Sequence, residues 1–156
     1  MSKWKNYVPL AVSIAIPWGA AGLSLLLTGM EGMKGYEGLQ RPVLAPPGWL
    51  FPVVWSVLYT LMGVSAWQVW KVPGRSPEAL GAYGLQLLLN VLWTPVFFRL
   101  ERYWLAFGIL MLLWLAIIHM ILRFRRINSK AALLQLPYLL WVTFAGYLNF
   151  MIAWLN

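Results

Sequence analysis

Of the 156 residues of this chain, 62% are hydrophobic and only 10% are charged, which excludes an ordinary soluble domain because so much apolar surface cannot be hidden in one core. The absence of cysteine excludes disulfides, thiolate metal sites and cysteine nucleophiles. The formal net charge is +8, and the basic residues lie in short connectors between apolar runs. This position indicates that they set the membrane topology and contact anionic lipid, so we expect no nucleic-acid partner.

Five apolar segments are long enough to cross a hydrocarbon core, which requires about 20 residues. They predict an all-α fold, an integral membrane bundle of five transmembrane helices that forms one domain over residues 1–156. The predicted helices cover residues 7–28, 49–70, 80–98, 104–122 and 131–154. The first is longer than the apolar core of a signal peptide, about 7 to 15 residues, so we expect a membrane helix there.

The longest connector, residues 29–48, is rich in glycine and contains three prolines. Connectors of this length in a compact fold are usually lids or binding loops, or are disordered. Pro47 and Pro52 suit the first turn of the second helix, where a missing N–H is tolerated. The sequence therefore predicts a lid-like loop that is anchored at its end.

The distribution of lysine and arginine predicts the orientation. One side of the predicted bundle carries eight, namely Lys3, Lys5, Lys71, Arg75, Arg123, Arg125, Arg126 and Lys130. The other side carries four, namely Lys34, Arg41, Arg99 and Arg102. The positive-inside rule then places the N-terminus inside, in what we expect to be a bacterial cell membrane. The rule does not hold for an outer membrane.

Residues for acid–base catalysis or metal binding are scarce. The four carboxylates, Glu31, Glu37, Glu78 and Glu101, all fall in predicted connectors. His119 is the one ionisable side chain inside a predicted span, and we expect it to bond a neighbouring carbonyl rather than to relay protons. The sequence therefore predicts no metal site and no acid–base catalyst.

Polar and aromatic residues recur on one face of three predicted helices. These faces carry Trp55, Tyr59, Met62 and Ala66; Gln86, Asn90, Trp93 and Phe97; and Tyr138, Trp141, Ala145, Leu148 and Asn149. Buried amides must face other helices, so Asn90 and Asn149 indicate that these faces point inward. The aromatic rings either fill the bundle core or line a slot for a flat apolar ligand.

The other tryptophans suit a different environment. An aromatic belt at the membrane surface accounts for Trp4, Trp67, Trp70, Tyr103, Trp104 and Trp154. Trp114 lies deep in the fourth predicted span, like the tryptophans of the inward faces.

Three stretches together resemble the translocator protein family, also called TspO/MBR or tryptophan-rich sensory proteins. The motifs are Tyr36-x-x-Leu39-x-Arg41-Pro42-x-x-x-Pro46-Pro47-x-Trp49 with Pro52-x-x-Trp55-x-x-x-Tyr59, then Gln86-x-x-x-Asn90-x-x-Trp93-x-Pro95-x-Phe97-Phe98, and Pro137-Tyr138-x-x-Trp141-x-x-x-Ala145-x-x-Leu148-Asn149. The resemblance runs along nearly the whole chain.

The resemblance implies a five-helix bundle, usually a homodimer, that binds porphyrins in a pocket capped by the first loop and requires no other cofactor. The ligand-binding residues it implies are Trp49, Leu50, Trp55, Tyr59, Asn90, Trp93, Trp104, Tyr138, Trp141, Ala145 and Leu148. As an alternative activity it implies light- and oxygen-dependent degradation of porphyrin, for which Trp55 and Trp141 are the catalytic candidates.

Two departures from the family pattern are informative. Gly35 and Leu44 stand where the family often has tryptophan, which indicates that the loop binds a porphyrin less strongly. Phe150 replaces the tyrosine of the vertebrate cholesterol motif, so tight sterol binding is not expected.

The expected function is that of a membrane receptor or carrier for tetrapyrroles such as protoporphyrin, in transport or stress sensing. The propionates of the ligand are expected to contact Arg41, Arg99 or Arg102. Two alternatives stay open: a light-dependent porphyrin-degrading enzyme, and a small secondary transporter.

Overall fold

Helices and the turns and loops that connect them make up the part of the chain that the structure describes. The structure is a computed structural model and describes residues 4–156, so Lys3 lies outside it, as does the side chain of Trp4. The elements are α1 (Trp4–Lys34), a 3-10 turn (Gly35–Gly38), α2 (Leu50–Trp70), α3 (Pro77–Phe98), α4 (Tyr103–Ile127), α5 (Ser129–Leu134) and α6 (Leu136–Leu155). No strand occurs in this range.

Five helical stretches within residues 4–156 are long and apolar enough to span a membrane, and α5 and α6 together form the fifth. The prediction of an all-α bundle with five transmembrane helices is therefore confirmed. Large apolar side chains cover its outer surface; Leu26 and Leu140, for example, are 80% and 72% exposed. Such a surface requires lipid as its solvent.

The first loop is shorter in the structure than the predicted range, residues 29–48. Gly29 interrupts α1 with φ 73°, a backbone conformation that glycine adopts without strain, and the helix then continues to Lys34. The 3-10 turn follows directly, so the irregular segment covers only residues 39–49. A glycine that bends a helix and a glycine that ends one look alike in sequence, which is why the prediction placed the helix end too early.

The fifth span is interrupted at Gln135. Pro137 lies in the first turn of α6, where its missing N–H removes one hydrogen bond to the preceding turn. Asn128 caps the start of α5, and its side chain accepts hydrogen bonds from the backbone N–H groups of Lys130 and Ala131. The chain thus enters this span through a short capped helix, two residues earlier than predicted.

The five spans form a ring in the order α2, α1, α3, α4 and α5–α6, which returns to α2. Gly63 allows the closest approach in this ring, because a Cβ there would collide with Ile14 Cα and lie 2.8 Å from the Ser13 carbonyl oxygen. A Cβ at Gly81 or Gly84 would meet no atom within 4 Å, so these glycines do not mediate packing within the protomer. The inner faces of α2, α3 and α6 carry most of the aromatic rings of the candidate site.

Candidate functional site

A group of rings fills the interior between α2, α3, α6 and the 3-10 turn. We call it the aromatic cluster; its members are Tyr36, Phe51, Trp55, Tyr59, Trp93, Phe97, Phe98, Tyr138 and Trp141. The centroid of each ring lies 6.2 Å or less from that of another member, in stacked or edge-to-face geometry. No lysine, arginine or carboxylate belongs to the cluster.

The deeper part of the aromatic cluster surrounds Tyr138. The Trp55 ring stacks on Tyr59 at 5.3 Å and meets Tyr138 edge-on at 6.2 Å. The buried Tyr138 hydroxyl donates to Gln86 Oε1 and accepts from Asn90 Nδ2, both at 2.8 Å. Because the apolar core around them excludes water, these two hydrogen bonds fix the positions of both amides.

Trp93 joins the outer part of the cluster through its polar edge. Its indole N–H donates to Asn149 Oδ1 at 2.9 Å, and Asn149 Nδ2 donates to the Tyr103 carbonyl oxygen at 2.9 Å. The Trp93 ring stacks on Phe97 at 5.2 Å. The inward orientation predicted from Asn90 and Asn149 is therefore confirmed for this face of α3.

Trp141 connects α6 to the first loop. Its ring meets Phe51 at 5.8 Å, Phe51 meets Tyr36 at 5.5 Å, and Tyr36 meets Phe98 at 6.1 Å. The buried Trp141 indole N–H has no hydrogen-bond partner among the described residues. An unused donor inside an apolar cluster is costly, and it is available to a ligand acceptor.

The 3-10 turn brings a residue that the sequence analysis did not include in the site. Tyr36 is buried among Phe51 and Phe98, and the Arg41 guanidinium lies over its ring at 4.9 Å. Phe51, one residue after the predicted mouth residue Leu50, was also missed. An isolated tyrosine in a polar, glycine-rich connector is the signal that could have pointed to Tyr36 as an anchor of the loop.

Asn156, at the end of α6, holds the irregular segment that follows this turn. Its side-chain Oδ1 accepts from the Gln40 backbone N–H at 3.1 Å, and its Nδ2 donates to the Gln40 carbonyl oxygen at 2.9 Å. This pair of bonds imitates one rung of a β-ladder. The loop is therefore fixed to α6 as well as to the cluster.

The structure brings together most of the predicted ligand-binding residues. Trp55, Tyr59, Asn90, Trp93, Tyr138 and Trp141 belong to the cluster or bond to it. Ala145 and Leu148 are buried on the same helix as Trp141, and Leu50 is half-buried.

Several other predicted residues lie elsewhere. Trp49 is 69% exposed, and Trp104, 53% exposed, contacts Phe107 and Phe150 on the outer surface. Trp114 donates to Thr143 Oγ1 at 2.9 Å, away from the cluster. Trp49 and Trp104 are therefore exposed, whereas Trp114 is partly buried against the core of the bundle.

The predicted propionate contacts differ in availability. Arg41 lies directly above the cluster through Tyr36, whereas the Arg99 guanidinium donates to the Leu27 carbonyl oxygen at 2.9 Å. Arg102 is exposed at the start of α4. His119 is exposed on the surface of α4.

Two cavities lie outside the aromatic cluster. One of about 420 Å³ opens between the end of α1 and the α3–α4 connector. The other, about 350 Å³, is an apolar groove between α4 and α6 that includes Trp114 and Phe150. Neither is lined by a ring of the cluster, which is packed closely in this structure.

The chemistry available at the cluster is that of an uncharged binding site. Indole, phenol and amide groups offer broad apolar faces with a few hydrogen-bond donors at their rims. Within the described residues no group of three or more His, Cys, Asp or Glu side chains is placed to hold a metal ion.

Comparison with known sequences identifies the family. The sequence model of the TspO/MBR family matches residues 11–155, which include every helix that contributes to the aromatic cluster. The chain belongs to the TspO/MBR family.

Its relatives come from distant organisms. It is 34% identical over 159 aligned positions to the tryptophan-rich protein TspO of Chlorobaculum tepidum, an alignment that covers 100% of this chain and 99% of the relative. It is 40% identical to protein CrtK of Rhodobacter capsulatus, with 78% of each chain covered. It is 37% identical to the translocator protein of Homo sapiens, with 77% of this chain and 73% of the relative covered. The resemblance found in the sequence motifs is thereby confirmed.

Proposed function

We propose that this TspO/MBR protein is a membrane receptor or carrier that binds a flat, largely apolar tetrapyrrole such as protoporphyrin in the aromatic cluster. Family membership and the convergence of conjugated rings from α2, α3, α6 and the first loop support this proposal. The single observation that carries it is the inward placement of Trp55, Trp93 and Trp141, which all pack against the same buried core of the bundle.

The unused polar atoms of the cluster fit a ligand with ring nitrogens or carbonyl groups. Trp141 Nε1 and Gln86 Nε2 are buried without partners among the described residues. A macrocycle that stacks on the indoles and accepts from these groups removes two unsatisfied donors from the core. That gain offsets part of the free energy needed to separate the rings.

Entry of the ligand requires movement of the first loop. Tyr36 and Phe51 occupy the space beside Trp141, so a macrocycle has to displace them or slide between them. The segment that carries Tyr36 is a short 3-10 turn next to an irregular stretch, which moves more easily than a packed transmembrane helix. We therefore propose that the loop acts as the lid of the site.

The propionates of a porphyrin are placed at the membrane surface in this proposal. Arg41 is the best positioned partner, because displacement of Tyr36 frees its guanidinium to form a bidentate bond with a carboxylate. Arg99 donates to the Leu27 carbonyl oxygen of α1 and lines a separate cavity, and Arg102 lies farther along the connector. We rank Arg41 first for this role.

The test is a titration of purified protein with protoporphyrin in the dark, followed through the absorbance of the porphyrin. We expect saturable binding in the micromolar range, about −8 kcal/mol, and a Kd about tenfold higher for Trp141→Phe, because the smaller ring loses stacking area and the N–H donor. Trp154→Phe is the matched control: Trp154 is 71% exposed and stacks only on Phe150 among the described rings.

Two results would contradict the proposal. One is non-saturable partitioning of the porphyrin that is identical in the wild type and Trp141→Phe. The other is an equal loss of affinity in both tryptophan variants, which would place the ligand on the outer surface. Repeating the titration under illumination with oxygen separates receptor from enzyme, since new product spectra that depend on Trp55 would favour porphyrin degradation.

A further inference from the structure

The cavity of about 420 Å³ at the loop side of the bundle has an unusual lining. It is bounded by Thr28, Gly29, Met30, Glu31, Gly32, Arg99 and Glu101. Most of this lining is polar or charged. It is separate from the aromatic cluster.

The cavity concentrates negative charge in a strongly basic protein. The chain has four carboxylates and a net charge of +8, yet Glu31 and Glu101 both line this one cavity. Among the described residues neither carboxylate forms a salt bridge within 4.0 Å, since the one salt bridge joins Arg123 and Glu78. The C-terminal end of α1, a few residues beyond Glu31, adds the negative pole of the helix dipole. This edge of the cavity therefore favours a cation.

Arg99 supplies a complementary group on the same wall. One of its guanidinium N–H groups donates to the Leu27 carbonyl oxygen at 2.9 Å, which holds the side chain against α1. A guanidinium has five N–H donors, so most of them stay available to an anion. The cavity thus offers a cation-binding side and an anion-binding side a few residues apart.

The backbone around the cavity is held in a specific shape. Gly29 has φ 73°, and Glu101 has φ 53°, which is uncommon for a residue with a side chain. A Cβ at Gly32 would lie 3.3 Å from the Phe98 carbonyl oxygen, so the end of α1 packs directly on the α3–α4 connector. Strain retained in a packed connector is often connected with a binding role.

We propose that this cavity binds the phosphoethanolamine group of a membrane lipid. Its primary ammonium donates to Glu31 and Glu101, and its phosphate accepts from Arg99. Exposed apolar side chains beside the cavity, such as Leu26 and Met30 at 80% and 81% exposure, accommodate the acyl chains. The proposal does not depend on the function assigned to the aromatic cluster.

The charges of the lining explain the choice of headgroup. A quaternary choline ammonium has no N–H to donate to the carboxylates, and a glycerol headgroup has no cation at all. Choline leaves Glu31 and Glu101 without a hydrogen-bond donor, and glycerol leaves them without an opposite charge. The ethanolamine headgroup alone of these three satisfies both sides of the cavity.

The experiment is native mass spectrometry of the full chain in detergent with equal amounts of phosphatidylethanolamine, phosphatidylcholine and phosphatidylglycerol. We expect the ethanolamine lipid to be retained about tenfold better than either competitor, since one charge-assisted pair contributes about that factor. The double variant Glu31→Gln/Glu101→Gln is expected to lose the preference. Glu37→Gln, an exposed carboxylate of the same loop that does not line the cavity, is expected to keep it.

Three outcomes overturn the proposal: equal retention of the three lipids, a preference that survives the double variant, or displacement of the lipid by an equal concentration of soluble phosphoethanolamine. The last outcome assigns the cavity to the free headgroup rather than to a lipid. If circular dichroism shows that the double variant has lost helicity, Glu31→Gln alone, at an exposed position, serves the same comparison.

Discussion

The hydroxyl of Tyr138 lies at the centre of a small hydrogen-bond network inside the bundle. It donates to Gln86 and accepts from Asn90, and with Tyr59 Oη 3.5 Å from Asn90 Oδ1 it connects three helices. Tyr138, Gln86 and Asn90 are buried from water, so each depends on the others for its hydrogen bonds.

Tyr138→Phe is expected to destabilise the protein by about 0.6–2 kcal/mol, because the remaining ring keeps its packing while Gln86 Oε1 and Asn90 Nδ2 lose their partner. Denaturant unfolding in detergent measures the loss. Tyr147→Phe, at a 39% exposed position, is the control and is expected to leave stability unchanged. Equal stability of the two variants would show that the Tyr138 contacts contribute nothing.

At the scale of single residues, the sequence correctly predicted which helix faces point inward, because helical periodicity and the cost of burying polar groups determine them. Asn90 and Asn149 had to face inward because an amide in hydrocarbon is costly, and they indicated the correct faces of α3 and α6. Tyr36 was missed because it lies in a connector, and its place in the cluster depends on how the loop folds back, a long-range contact that no local pattern encodes. Phe51 lies four residues before Trp55, so the repeating face of α2 could have been extended to it.

At the scale of elements, the first loop is bound to the bundle at two places, Tyr36 in the aromatic cluster and Gln40 on Asn156. The sequence predicted a lid but could not predict these attachments, since Asn156 and Gln40 are 116 positions apart. Likewise, the kink at Gly29 and the interruption at Gln135 depend on what each backbone packs against, which hydropathy does not report.

Asn156→Ala is expected to loosen the loop, because the Gln40 backbone loses both of its bonds to α6. Hydrogen–deuterium exchange at the Gln40 amide should accelerate by about tenfold, the equivalent of about 1.4 kcal/mol, without a change in overall helicity. Val43→Ala, at a fully exposed position of the same loop, provides the comparison. Unchanged exchange in Asn156→Ala would mean that the Gln40–Asn156 pair does not hold the loop.

At the scale of the whole molecule, the two ends of the bundle differ in charge and in chemistry. Arg123 Nη1 bonds Glu78 Oε2 at 2.9 Å, which joins the last part of α4 to the start of α3. Arg75 and Lys71 lie over the rings of Trp70 and Trp67 at this same end. The loop, Arg41 and the cavity around Arg99 occupy the opposite end. The predicted orientation therefore decides which side of the membrane the lid faces.

Because the chain has no cysteine, single cysteines introduced at opposite ends report this orientation without background. We expect Val43→Cys to react with a membrane-impermeant maleimide in intact cells, and Ser129→Cys to react only after the membrane is opened, since eight of the twelve basic residues favour the inside at the Ser129 end. Both positions are exposed, so access to the side chain does not limit either reaction. The unmodified chain controls for background labelling. The reverse pattern would place the lid inside, and a porphyrin would then reach the aromatic cluster from the cytoplasm rather than from outside the cell.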